Sequence, residues 1–313
     1  MLEKSNKIYI AGHRGLVGSA LLRVCEKEGY SNVLTAISKE LDLRDQAATL
    51  AFFEAHHPDI VMLAAAKVGG IWANQSYPAE FLYDNLMIEA NVLHAAWQTG
   101  VKKLLFLGSS CIYPKHAELP IREDALLSGP LEQTNYAYAM AKISGIMLCK
   151  AYNQQYGTQF TPVMPCNLYG PNDNYDLENS HVLPALIRKF HEAKQSGAPS
   201  VTIWGSGQPR REFLHADDLA AACLHLLQQS DSTDLINIGT GEDISILELA
   251  QLIQRVVGFE GALVFDRSKP DGVMRKVMDV SQMRRLGFEP QISLEDGLRQ
   301  TYAAYCDGLM VKV

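Results

Sequence analysis

No run of apolar residues in this sequence is long enough to cross a bilayer. The longest, such as residues 60–66, fall well short of the ~20 that a spanning helix requires. The N-terminus is polar and carries no signal-peptide core, so a cytoplasmic chain with no membrane partner is expected. Basic charge is scarce: 28 Lys and Arg stand against 35 Asp and Glu. No basic run is present to track a phosphate backbone, so no nucleic-acid partner is expected. The six cysteines, Cys25, Cys111, Cys149, Cys166, Cys223 and Cys306, have no paired spacing, which speaks against a disulfide framework or a metal site. Most are expected to be buried thiols.

What is present is an ordinary globular balance, 47% hydrophobic and 20% charged over 313 residues, enough for about two domains. Apolar strand-like runs alternate with helical periodicity. Strands are expected at residues 8–11, 32–36, 59–65, 103–107 and 160–164, and helices at 16–28, 46–56, 79–98 and 136–156. Runs apolar along most of their length fit parallel strands covered on both faces. After Pro165 the rhythm loosens. Short strands at 201–204, 235–238 and 262–265 mix with helices at 182–194, 216–228, 245–257 and 294–304. The reading is an α/β protein: a Rossmann-type doubly wound parallel sheet over residues 1–168, to which 213–240 returns. A smaller C-terminal α/β lobe follows, built from 169–212 and 241–313.

Gly12-His13-Arg14-Gly15-Leu16-Val17-Gly18 lies between the first strand and the first helix. Glycines at that spacing allow a sharp turn, close approach of backbone N–H groups to a pyrophosphate, and tight helix packing. The second strand ends Thr35-Ala36-Ile37-Ser38-Lys39 with no acid to bind ribose hydroxyls. With Arg14 and Lys39 as cations, a 2′-phosphate is the better guest, so NADP is expected over NAD. Tyr138 and Lys142 are four residues apart on an expected helix and share a face. An adjacent ammonium favours a phenolate, so this Tyr is expected to have a lowered pKa and to exchange a proton with an alcohol or ketone oxygen. Gly108-Ser109-Ser110-Cys111 follows an expected parallel strand, where open α/β sheets place their ligands. The two serines would otherwise cap a turn.

These features, with the stretches AAAKVGGI (64–71), LGSSCIYPK (107–115), NLYGP (167–171), NSHVLPA (179–185), REFLH (211–215) and SKPDG (268–272), resemble the extended short-chain dehydrogenase/reductases, and among them the epimerase-reductases of GDP-sugars. The resemblance covers nearly the whole chain. It implies a catalytic set of Ser109, Tyr138 and Lys142, with Cys111 and His181 as an epimerising pair. Inverting a carbon beside a ketone needs two titratable groups on opposite faces of the sugar, and Cys and His can both be brought near neutral pH.

The resemblance also implies a cofactor cleft lined by Leu107, Gly108, Ser109, Ser110, Cys166, Asn167, Leu168 and Tyr169, with Asp42 and Leu43 flanking the adenine, and Lys142 and His181 beside the cofactor. Lys189, Trp204, Arg211 and Asp271 would hold the GDP-sugar. Arginines that related sequences carry after the second strand are replaced by Ala36 and Ser38, so NAD use is possible. The implied activity is 3,5-epimerisation and NADPH-dependent 4-reduction of a GDP-4-keto-6-deoxyhexose. A sister enzyme acting on a GDP-4-keto-dideoxyhexose or GDP-heptose is the alternative. A homodimer through the helices at 79–98 and 136–156 is implied too.

Overall fold

The computed structural model describes residues 2–177, 179–269 and 271–309. Met1 and residues 310–313 of the two expected lobes, and Pro270 of the SKPDG stretch, lie outside the described residues.

The first half of the chain runs β1 (Ile8–Ala11), α1 (Leu16–Lys27), β2 (Val33–Leu34), α2 (Gln46–His56), β3 (Ile60–Leu63), α3 (Ile71–Ser76), α4 (Pro78–Gln98), β4 (Lys103–Leu107), α5 (Tyr136–Tyr156) and β5 (Phe160–Pro165). It continues through β6 (Asn167–Tyr169), α6 (Val182–Ser196), β7 (Ser200–Trp204), β8 (Arg210–Arg211), β9 (Phe213–His215), α7 (Ala216–Gln229) and β10 (Ile236–Ile238). Last come β11 (Ile244–Ser245), α8 (Ile246–Val257), β12 (Ala262–Asp266), β13 (Arg275–Lys276), α9 (Ser281–Arg285) and α10 (Leu294–Cys306).

Six strands form one parallel sheet in the order β10-β5-β4-β3-β1-β2. β1 and β3 are buried at every position, as strands covered by helices on both faces must be. α1 packs on α7, and α4 packs against both α2 and α5. The winding reverses between β1 and β3, the topological switch point at which such sheets bind ligands beyond their carboxyl ends.

A second core gathers Leu183, Ile187 and Phe190 of α6, Leu249 and Ile253 of α8, Ile203 of β7 and Leu298 of α10. The parallel pair β6–β9 lies at the chain crossings between the two halves, with Asn167 opposite Phe213 and Tyr169 opposite His215. From there α7 returns to α1, and β10 completes the large sheet.

The strand expected at 32–36 is only Val33–Leu34. It is the sheet's edge, pairs with β1 alone, and is only half-buried, so little holds a longer extended run. The strand expected at 59–65 is Ile60–Leu63, and beyond it the chain passes close to Gly12, where a Cβ would lie 2.7 Å from the Ala65 nitrogen.

Candidate active site

Gly12 leaves β1 with φ +85°, in the left-handed region that favours glycine. Gly18 faces this turn from α1, and a Cβ there would stand 2.1 Å from the Gly12 oxygen. Gly15 is the N-cap of α1, with no side-chain cap and no acid in the first turn. The helix therefore offers unsatisfied N–H groups and the positive end of its dipole to an anion. A Cβ on Gly15 would meet only the Gly12 oxygen, at 3.6 Å, so the approach is open. These residues fit a dinucleotide pyrophosphate.

Leu16 and Val17 pack on the main core, while Arg14 and Lys39 are exposed. His13 has a buried Nδ1 without a partner among the described residues. Its pKa is lowered by burial and by Arg14, while Glu40 opposes. Asp42 is held below the usual carboxylate range by its hydrogen bonds from Arg44, at 2.7 Å from the guanidinium, and Arg44 also reaches Asp84 at 3.2 Å. The Leu43 carbonyl accepts from Asn91 at 2.9 Å.

At the end of β4, the Leu107 carbonyl accepts from Lys142 Nζ at 3.0 Å. Gly108 packs closely on Met164, whose methyl carbon would lie 1.7 Å from a Cβ there. Ser109 is extended and caps the short 3₁₀ turn Ser110–Ile112, its Oγ accepting from the Cys111 N–H at 3.5 Å. Ser110 is buried. The Tyr138 phenol and the Cys111 thiol both lie close enough to the Ser109 hydroxyl for it to oppose the rise in their pKa values, so the three side chains sit together. Tyr138 and Lys142 lie one turn apart in α5, with Nζ 5.8 Å from the centre of the phenol ring.

The expected lowering of the Tyr138 pKa is not what the structure has. Burial pushes the phenol well above its ordinary value, the charges of Cys111 and Glu89 add to that, and only Ser109 opposes. Tyr138 is thus held protonated, the state a proton donor needs. Cys111 is likewise raised by burial, with Lys276, Ser109 and Lys142 opposing.

His181 is the N-cap of α6 and lies exposed at the surface. Its segment is tied to the first half of the chain by a hydrogen bond from the Gly70 N–H to the Asn179 carbonyl at 2.9 Å. Lys189, Trp204, Arg211 and Asp271 come together in the second half. Lys189 Nζ lies 4.8 Å from the exposed Trp204 ring, a separation at which a cation and an indole attract. Asp271 accepts from the Ser206 N–H at 2.7 Å, so it shapes the turn after Trp204. The Arg211 guanidinium lies beside Gly272, and burial depresses its pKa.

Cys166 is buried, and its N–H donates to Ile238 at 3.0 Å; Asn167 donates to the Glu212 carbonyl at 2.8 Å. Leu168 packs on the main core. Tyr169 is buried in the second core with its ring 5.3 Å from His215, so its backbone rather than its side chain is left to line a cleft.

Three charged residues escaped the sequence reading. Lys276 on β13 is close enough to Cys111 for each to shift the other, and burial lowers its pKa. Glu212 binds the N–H groups of Gly241 and Met278 at 2.8 and 2.9 Å. Glu89 pairs with Lys142 at 3.0 Å. Each meets its partner only through tertiary contact, so no local spacing signals it. Among the described residues, no group of His, Cys, Asp and Glu is arranged to hold a metal, and no helix is long and apolar enough to cross a membrane.

The model of the NAD dependent epimerase/dehydratase family matches residues 8–239. The chain is 56% identical over 305 residues to GDP-L-fucose synthase 1 of Arabidopsis thaliana, covering 97% of this chain and 94% of that one. It is 54% identical to GDP-L-fucose synthase of Escherichia coli (strain K12), covering 95% of each. A GDP-L-fucose synthetase from Naegleria fowleri, solved bound to NADP, superposes with a TM-score of 0.92 at 34% identity, over 98% of this chain and 95% of that one. With the glycine turn, the switch point and the Ser109–Tyr138–Lys142 cluster in place, the chain belongs to the NAD-dependent epimerase/dehydratase family.

Proposed function

We propose that the chain is a GDP-L-fucose synthase, converting GDP-4-keto-6-deoxy-D-mannose to GDP-L-fucose by epimerisation at C3 and C5 and NADPH-dependent reduction at C4. The observation that carries this reading is that the Ser109 hydroxyl has both the phenol of Tyr138 and the thiol of Cys111 beside it. A reductase requires the first contact alone. Identity above 50% to GDP-L-fucose synthases over nearly the whole chain supports it.

The cofactor's pyrophosphate would rest on the Gly12–Gly18 turn, its 2′-phosphate near Arg14 and Lys39, and its ribose against Lys142. NADPH, when bound, supplies the hydride. Lys189, Trp204, Arg211 and Asp271 would hold the GDP-sugar in the lobe formed by 169–212 and 241–313, against the cofactor lobe of 1–168 with 213–240.

Ser109 and Tyr138 donate hydrogen bonds to the C4 ketone oxygen, which stabilises the enolate and makes the C3 and C5 protons removable. Cys111 and His181 exchange those protons, inverting both centres. Tyr138 then gives its proton to the C4 oxygen as it becomes an alkoxide, beside the ammonium of Lys142. The enzyme would be cytoplasmic and would pair as a homodimer through α4 and α5, whose surfaces expose Tyr83, Tyr136 and Tyr156.

The test is turnover in D₂O with and without NADPH. Deuterium at C3 and C5, NADPH consumption and GDP-L-fucose as product are expected. Consumption without exchange would reduce the assignment to a simple reductase, and inertness toward this sugar would overturn it.

A further inference from the structure

One carboxylate beside the site has no part in the chemistry above. Glu89, on α4, is 1% exposed, and its Oε1 lies 3.0 Å from Lys142 Nζ. That is ion-pair distance, but the approach is out of line for a well-formed hydrogen bond, and neither oxygen has another donor among the described residues. The space for it depends on Gly145 of α5: a Cβ there would stand 2.7 Å from Oε2 and 2.3 Å from the Phe106 ring. Burial pushes the Glu89 carboxyl up, and Lys142 opposes. A buried carboxylate is costly unless a cation stands beside it, and for Glu89 that cation is Lys142.

An ammonium has three N–H groups. For Lys142, one donates to the Leu107 carbonyl at 3.0 Å and a second faces Glu89. One remains, on a nitrogen 5.8 Å from the centre of the Tyr138 ring and 4.9 Å from that of Phe106. We propose that Glu89 is a positioning residue: together with the Leu107 carbonyl it fixes the Lys142 ammonium so that its third N–H meets a ribose hydroxyl of the bound cofactor beside Tyr138. This rests on the reading of the site given above.

Two variants of the full chain separate positioning from mere structure. Glu89→Gln keeps the shape and removes the charge; Glu89→Asp keeps the charge on a shorter stem. Loss of a charge-assisted contact predicts that Glu89→Gln lowers kcat for reduction by about 10- to 100-fold, with partial recovery in Glu89→Asp. The Kd for NADPH, read by quenching of tryptophan fluorescence, should rise in the same order. Deuterium exchange at C3 and C5 without NADPH should stay within about twofold of wild type, because Lys142 is not a proton carrier in that step. Unchanged reduction and NADPH binding would overturn the proposal, as would equal falls in reduction and exchange.

Should Glu89→Gln fail to fold, Lys142→Met is compared with the double variant Glu89→Met/Lys142→Met, which removes both charges. Equal NADPH affinity in the two supports action through Lys142, and a further loss of about tenfold in the double variant overturns it. If the wild-type chain proves inert on GDP-4-keto-6-deoxy-D-mannose, the functional reading fails by itself. The NADPH affinities of the same variants still decide the role of Glu89.

Discussion

At the scale of single residues, the structure gathers Ser109, Tyr138 and Lys142 at the end of β4, where the candidate site lies. The direction of the Tyr138 shift is set by burial, Cys111 and Glu89, which a four-residue spacing cannot report. Tyr138→Phe removes the proton donor while keeping the ring, so reduction should fall by about 10²- to 10⁴-fold with an unchanged melting temperature; near-normal turnover would refute the assignment.

Asp173 offers a separate test of burial. Its Oδ2 is buried without a partner among the described residues, and desolvation pushes its pKa up to about 7 from 3.8. A carboxyl raised on folding binds its proton more tightly in the native state between those two values, so its contribution to stability is lost as pH rises from about 4 to about 7. Asp173→Asn should therefore melt progressively higher than wild type over that window, by no more than about 4 kcal/mol in all. Thermal melts of both proteins from pH 5 to pH 8 check this, and parallel curves would contradict it.

Among the elements, long periodic segments were legible and short pairings were not. α5 runs Tyr136–Tyr156, as its sequence indicates, and ends at Gly157 with φ +68°. β8, β11 and β13 are two residues each, too short to carry an alternation, although β13 brings Lys276 toward Cys111. In α1, Gly18→Ala would force a methyl group into the Gly12 carbonyl; overpacking of this kind costs roughly 1–3 kcal/mol. If the same turn holds the cofactor's pyrophosphate, NADPH affinity should fall with it; denaturant melts measure the stability and isothermal titration the affinity. α8 supplies the contrast. Its capping box pairs Ser245 with Glu248, and Ser245→Ala should cost about 1 kcal/mol in denaturant melts with kcat/KM unchanged.

For the whole molecule, the decisive feature is that two hydrophobic cores meet along β6 and β9. If the first holds NADPH and the second the GDP moiety, each ligand should raise the melting temperature separately, by about 2.7 kcal/mol of added stability at one hundred times its Kd. Arg211→Ala should abolish the shift produced by GDP and leave that produced by NADPH. Loss of both together would mean that the sites are not separable.

The sequence by itself determined the parallel α/β architecture, the glycine turn and the placing of Tyr138 and Lys142 on one face, because these follow from local periodicity, backbone freedom and spacing along one helix. Tertiary structure alone decided the pairing of β6 with β9, the meeting of Lys189 with Trp204, and the burial of Glu89 beneath Lys142. Those depend on contacts between residues far apart in the chain and on the water excluded around them, neither of which any local pattern records.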